Sequence, residues 1–309
     1  MSGRAAFSVL ETVSVCTPLG IRFWDPVTDE QIRDALRVTA WPADAPSRAV
    51  TAYRSRSDIY VLQGLPGLRD LEYPGDLEYP GDLEYPGDLD EATSSPPPQR
   101  PFVIQVEDDQ RRYLPAARAV DLPLPYRGVY PRQRTLYSPS TDAPPGFLLL
   151  STVARQRPSW MAGIYGELFD QVNGRPAAHA LIQVSVGGEE GYGLSDGEGR
   201  FAVWLPYPGI AQDITGSPPP ALGLGSLFGQ SWPLELRVLY DPDHQVALSR
   251  TELPDYLSLL TQPLADLWLE SPELGASPGL AEVWSGALDY GRELSVTTLG
   301  AQRLLIEPR

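Results

Sequence analysis

The chain has one cysteine, two histidines and no long uninterrupted apolar run. Each scarcity excludes something. A single thiol, Cys16, cannot close an intramolecular disulfide, so stability has to come from packing. It reads as a small apolar residue on an opening strand that also carries Val13 and Val15. His179 and His244 supply no His-Glu-x-x-His or His-x-x-Glu pattern, and with no cysteine pair a zinc site is not expected. Met1 to Leu19 has one arginine and no continuous apolar core, unlike a signal peptide. No stretch approaches the roughly 18 apolar residues of a membrane span. The expected location is therefore cytoplasmic, or in a particle assembled there. Basic residues are outnumbered 24 to 40, for a formal charge of −16, and that field repels phosphate backbones and anionic lipid. Nucleic-acid and membrane partners are not expected.

What is present is punctuation. Thirty-three prolines and 28 glycines in 309 residues suit many short strands joined by turns. Two stretches share one grammar. The first runs Ile21-Arg-Phe-Trp-Asp25-Pro, Ala35-Leu-Arg-Val38, then Asp58-Ile-Tyr60 to Leu65-Pro66; the second runs Ile164 to Asp170, Ala180 to Val184, then Asp196-Gly-Glu-Gly199-Arg-Phe201 to Leu205-Pro206. In each an apolar strand ends in Asp, a turn follows, an Ala-started strand comes 10 residues later, and a third strand closes on Leu-Pro. A repeated unit of this kind predicts an all-β chain of two tandem antiparallel β-sandwich domains with long loops and short helical turns.

The expected divisions are a first module over residues 1–125, a Pro- and Tyr-rich linker over 126–146, and a second module over 147–309. Within the first, residues 70–98 form a loop in which Asp-Leu-Glu-Tyr-Pro-Gly occurs three times, from Asp70, Asp76 and Asp82. Two acids and a Pro-Gly turn per copy leave too little apolar surface to offset ordering. In the second, Leu253 to Leu269 approaches helical spacing but is broken by Pro263, which predicts short helical turns under the sandwich. Trp24, Trp41 and Trp204 fall inside strand patterns and read as core. Trp160, Trp232, Trp268 and Trp284 are left as freer interface candidates.

No arrangement of nucleophile and base stands out. A Gly-x-Ser-x-Gly elbow is missing, Gly223-Leu-Gly225 lacks the context of a phosphate loop, and the adjacent acids (Glu107, Asp108, Asp109; Glu189, Glu190) sit in polar turns. Neither a catalytic residue, a cofactor nor a metal is expected. Apolar residues do accumulate in the Gly/Pro-rich stretch Ile210 to Gln230. Leu222, Leu224, Leu227 and Phe228, with Trp232 just beyond, form the candidate interface with other protein subunits.

The second module resembles a carboxypeptidase regulatory-like, or transthyretin-like, domain. The resemblance rests on Tyr165-Gly-Glu-Leu-Phe-Asp170, Gly174-Arg-Pro176, Ala180 to Val184 and Ser195-Asp-Gly-Glu-Gly199-Arg-Phe201. It implies a seven-stranded sandwich and carries no reaction with it. The first module matches more loosely: Asp29-Glu30 stands where Gly would sit, and Asp58 replaces the hairpin Gly. The whole chain is also similar to proteins associated with phage-tail-like contractile injection systems. That similarity rests on Phe23-Trp-Asp-Pro-Val-Thr28, Arg54-Ser-Arg56-Ser, Gly64-Leu-Pro-Gly67-Leu-Arg, Tyr113-Leu-Pro and Arg303-Leu-Leu-Ile-Glu-Pro. It implies a non-enzymatic structural or adaptor subunit of a large assembly. The alternative is a carbohydrate- or peptide-binding module.

The hexamer repeat gives the first prediction. Deleting Leu71 to Asp88 should leave the thermal midpoint nearly unchanged, because the segment holds no core-forming residues. A drop to insoluble protein on expression would overturn it.

Overall fold

The computed structural model describes residues 19–69, 99–122, 147–208, 229–274 and 279–309. Cys16, the hexamer repeat, the 126–146 stretch and residues 210–228 lie outside them. The described residues are almost all β, with one short α-helix and one 3-10 turn.

The first module opens with β1 (Leu19–Ile21), β2 (Phe23–Asp25) and β3 (Glu30–Gln31). It continues through β4 (Arg37–Pro42), β5 (Val50–Thr51), β6 (Tyr53–Arg54) and β7 (Tyr60–Leu62). The strands β8 (Arg100–Glu107), β9 (Ala116–Leu122) and β10 (Phe147–Leu148) complete it. One sheet runs β5-β4-β8-β9, and the small sheets β1-β7-β6 and β10-β2-β3 face it across a core that includes Phe23, Leu62, Phe102 and Leu122.

The second module repeats the plan at greater length. It begins with β11 (Met161–Asp170), β12 (Arg175–Pro176), β13 (Leu181–Val186), β14 (Glu189–Leu194), β15 (Arg200–Pro206) and β16 (Ser231–Leu239). A helix α1 (Tyr256–Leu260) follows, then β17 (Asp266–Trp268), β18 (Leu280–Ala281), β19 (Trp284–Asp289), β20 (Leu294–Val296) and β21 (Leu304–Glu307). The sheet β14-β13-β16-β19 packs on the sheet built around β11, with Phe201, Val203, Leu236 and Val238 fully buried between them.

Strand pairing shows that the repetition is one of register. Asp25 pairs with Glu30 as Asp170 pairs with Arg175. Ile21 pairs with Tyr60 as Gly166 pairs with Phe201. Val38 pairs with Val106 as Ile182 pairs with Val238. Finally β10 runs parallel to β2, placing Phe147 beside Phe23, as β21 runs parallel to β11, placing Leu304 beside Leu168.

That last correspondence corrects the expected boundary. Phe147–Leu148 does not begin the second module; it is the closing strand of the first, and Phe147 packs edge-on against Phe23 at 5.7 Å. The change of core falls between Ser151 and Met161, and the 126–146 stretch joins two strands of one sandwich. A second correction concerns the helix. Tyr256, Leu259 and Leu260 pack into the first module's core, not beneath the second, with the Tyr256 and Phe147 rings 4.8 Å apart. Nor is the pairing wholly antiparallel: β10 runs parallel to β2, and β20 and β21 run parallel to β11.

The tryptophans divide by environment. Trp41 and Trp204 are buried, whereas Trp24, expected in the core, is half-buried and donates to Asp29 Oδ1 at 3.1 Å. Of the freer four, Trp160 is exposed and Trp232, Trp268 and Trp284 are half-buried.

Along β15 burial is continuous. Phe201, Val203 and Leu205 enter the core, while Ala202 and Trp204 pack with Met161 on the opposite face, beside Val27 of the first module. Phe201→Ala should cost about 3–5 kcal/mol, and Trp204→Ala a loss in the same range, since the sheet is covered on both sides. Chemical denaturation of the two variants measures this, and a negligible effect for Phe201→Ala would overturn the strand's assignment to the core.

Candidate functional site

Two turns organise the surfaces that could carry function. Asp25 and Asp170, both buried, end β2 and β11. Asp170 Oδ1 accepts the Val172 and Asn173 amides at 2.9 and 3.0 Å, and Oδ2 accepts the Tyr240 hydroxyl at 3.2 Å. Asp25 Oδ1 accepts the Val27 amide at 2.9 Å, and Oδ2 accepts the Tyr113 hydroxyl at 3.0 Å and the Arg155 guanidinium. Four residues on, Asp29 and Gly174 occupy left-handed backbone at φ 54° and 64°. The same substitution recurs in the third element: Asp58 at φ 57° takes the place of Gly199 at φ 80°. Asp tolerates this region better than most side chains, which is how the first module dispenses with glycine. At Gly199 itself a Cβ would lie 2.4 Å from the Leu168 carbonyl, so glycine is required there.

Arg155 is where the modules lock. It binds Asp25 and the Ser151 hydroxyl, and its guanidinium lies 4.7 Å from the Tyr113 ring and 5.3 Å from that of Trp204. Burial, with the Asp25 charge adding to it, pushes the Tyr113 hydroxyl up from its ordinary pKa. Tyr240, buried against Asp170, is pushed up to about 12.

A second contact comes from residues 246–262, an arm lying between β16 and β17. Leu248 and Leu253 cover Trp41, Val103 and Ala117 on the outer face of the first module's sheet. Trp41 Nε1 donates to the Ser249 carbonyl at 3.2 Å, and the Ala119 amide donates to Asp255 Oδ1 at 2.8 Å. The positions of Trp41 and Val103 correspond by register to Ser185 and Glu235 in the second module, both of which are exposed.

The expected interface residues fall unevenly. Leu222, Leu224, Leu227 and Phe228 lie outside the described residues. Trp232 is visible at the root of that stretch, its ring 5.8 Å from Tyr207, which lies 4.7 Å from Tyr290. The Tyr207 hydroxyl accepts the Gly291 amide at 2.9 Å. An aromatic shelf thus stands where residues 209–228 leave and rejoin the sheet. No spacing signal could have found it, because its members lie in β16 and just past the ends of β15 and β19.

The candidate chemistry disperses into structural contacts. Asp108 is buried and ion-paired with Arg112 at 2.9 Å. Burial opposes its ionisation, but the Arg112 side chain and the Arg112 and Gln110 amides outweigh that and hold its carboxyl below the usual range. Glu190 accepts the Tyr192 hydroxyl at 2.7 Å, and Glu107 is paired with Arg37. His244 hydrogen-bonds Thr261 at 3.0 Å. All 24 basic residues are arginine, so amine chemistry of the imine type has no side chain to use. Among the described residues no three His, Cys, Asp or Glu side chains gather as a metal set.

Comparison with known proteins adds little. No family model matches the chain, and no curated protein matches it. Among solved structures, the shaft pilin SpaA of Lactobacillus rhamnosus GG aligns at 10% identity over 96% of this chain and 98% of that one, with a TM-score of 0.20. The Bacillus anthracis TIE protein aligns at 8% identity over 90% of this chain and 44% of that one, with a TM-score of 0.19. At such TM-scores neither likeness bears on the fold or the function derived from the strand pairing.

His179 gives a pH prediction. It sits half-buried at φ 61°, and burial lowers its pKa from the ordinary 6.5, with Asp196 partly offsetting this. The unfolded chain therefore binds a proton more readily than the folded one. Its contribution is fully present above pH 6.5 and is lost as pH falls below it. His179→Asn, which tolerates the left-handed backbone, should show a smaller drop in thermal midpoint between about pH 7 and 5 than the parent. Equal drops would refute the buried imidazole as a source of acid sensitivity.

Proposed function

We propose that this protein is a non-enzymatic structural or adaptor subunit of a phage-tail-like contractile particle assembled in the cytoplasm. It would contribute two locked sandwich modules for contact with other subunits. The observation that carries the reading is the shelf of Tyr207, Trp232 and Tyr290 at the root of a segment containing Leu222, Leu224, Leu227 and Phe228. Aromatic side chains with apolar neighbours at the end of a rigid sheet are the composition of a protein-contact core. The rigidity is supplied by Arg155 and by the arm over Trp41, which fix one module on the other. The kind of assembly rests only on the resemblance of short sequence motifs to injection-system proteins, which no family model or curated protein supports.

Sedimentation of native lysate, with mass spectrometry of the pelleted particles, tests this. The chain should pellet with sheath-containing particles, and shortening residues 210–230 should release it as a folded, soluble monomer. Its presence in the light fraction alone, while intact particles pellet, would overturn the assembly reading and favour the ligand-binding alternative.

A further inference from the structure

Where the arm meets the first module's sheet it leaves a cleft of about 260 Å³, lined by Arg37, Thr39, Trp41, Gln105, Glu107 and Arg250 among others. The lining is ordered by the strands. Alternate residues of β4 present Arg37, Thr39 and Trp41 in a row, and β8 sets Glu107 opposite Arg37 and Gln105 opposite Thr39. At one end the charges are already satisfied. Glu107 accepts from Arg37 and from the Gln105 amide, and Asp109 stands 3.4 Å from Arg37.

The other end is different. Arg250, the arm's exposed arginine, stacks its guanidinium 5.7 Å from the Trp41 ring and donates to the Pro46 carbonyl. Pro46 occupies only part of a group that carries five N–H donors, and no carboxylate of the described residues pairs with Arg250. Its backbone is held at φ 66°, a conformation that costs a non-glycine residue energy and that persists at sites where a side chain is put to use. Trp41 and Arg37 are four strand residues apart, roughly 13 Å. That distance exceeds the screening length of about 8 Å at physiological salt. Glu107 is moreover paired with Arg37, which offsets its charge towards a negative group on Arg250.

We propose that this cleft binds a single carboxylate. Arg250 holds it over Trp41, and the Thr39 hydroxyl supplies a further hydrogen bond. The proposal goes beyond the assembly reading and does not depend on it. A chain of net charge −16 disfavours polyanions at long range, which leaves singly charged ligands of modest size. Two sources share the chemistry: a free small carboxylate, and the C-terminal carboxylate of a peptide.

Calorimetric titration of the full chain with acetate, triglycine and triglycine amide separates them. Saturable binding of both acetate and triglycine would assign a small-carboxylate site; binding of triglycine alone would assign a peptide terminus; the amide should not bind in either case. Arg250→Gly should weaken binding about tenfold or more, the effect of losing one charge-assisted hydrogen bond. Because glycine suits the φ of 66°, this variant should keep or raise the thermal midpoint. Thr39→Val, at a half-buried strand position where the swap is nearly isosteric, serves as an independent variant and should weaken binding several-fold while Arg37→Gln changes it less. The proposal is overturned if neither carboxylate binds saturably at millimolar concentration. It fails equally if the amide binds as well as triglycine, or if a folded Arg250→Gly or Thr39→Val leaves affinity unchanged.

Discussion

Each sandwich carries one buried carboxylate at a corresponding strand end, Asp25 at the end of β2 and Asp170 at the end of β11. A buried Asp is costly unless its oxygens are satisfied, and Asp25 and Asp170 are satisfied in the same manner: turn amides on one oxygen, a buried tyrosine hydroxyl on the other. The tyrosines arrive from the opposite sheet's return path, so each carboxylate ties a turn to the sheet facing it. The difference between the modules is Arg155. It adds a cation to Asp25 but not to Asp170, and by stacking between Tyr113 and Trp204 it converts a turn inside one module into the joint between two. Removing one partner of such a buried pair generally costs roughly 3–5 kcal/mol, because the other is left charged and unpaired.

The joint has a second component, and it explains why duplicated sheets carry different chemistry. The first module's connection from β8 to β9 is a short turn, whereas the second's from β16 to β19 takes in the arm, α1, β17 and β18. That extra length reaches back over the first sheet. Covered positions there are Trp41 and Val103; their counterparts, Ser185 and Glu235, face solvent and are polar. The strand register is shared, and the neighbour decides the side chain. The helix is short for a local reason: Pro254 precedes it, and Pro263, which lacks an amide to continue the ladder, follows it.

The same arm makes the cleft around Arg250 and leaves the aromatic shelf around Trp232 on a different part of the molecule, rooted in β15, β16 and the turn after β19. One surface is polar and small, the other apolar and attached to a long segment. The two surfaces therefore differ in the chemistry of what they could contact.

The turn grammar of the sequence was sufficient to determine the all-β class, the tandem plan and most strand positions. Those properties are local. An Asp that accepts its own turn amides, a residue at positive φ four positions on, and a short apolar run closed by Leu-Pro act within a few residues and leave a readable pattern. Asp29 and Asp58 were even legible as stand-ins for glycine. What only the tertiary structure decided is non-local. Phe147–Leu148 is too short to show a period, and only its pairing with Phe23 and Trp24 assigns it to the first module. The helical spacing of Tyr256 to Leu260 revealed an apolar face but not that its core lay in the other module. Trp41 was legible as buried without any sign that the arm does the burying. The cleft at Arg250 combines residues more than 200 positions apart, Trp41 and Arg250, and local sequence chemistry holds no information about pairs brought together solely by the packing of one module on another.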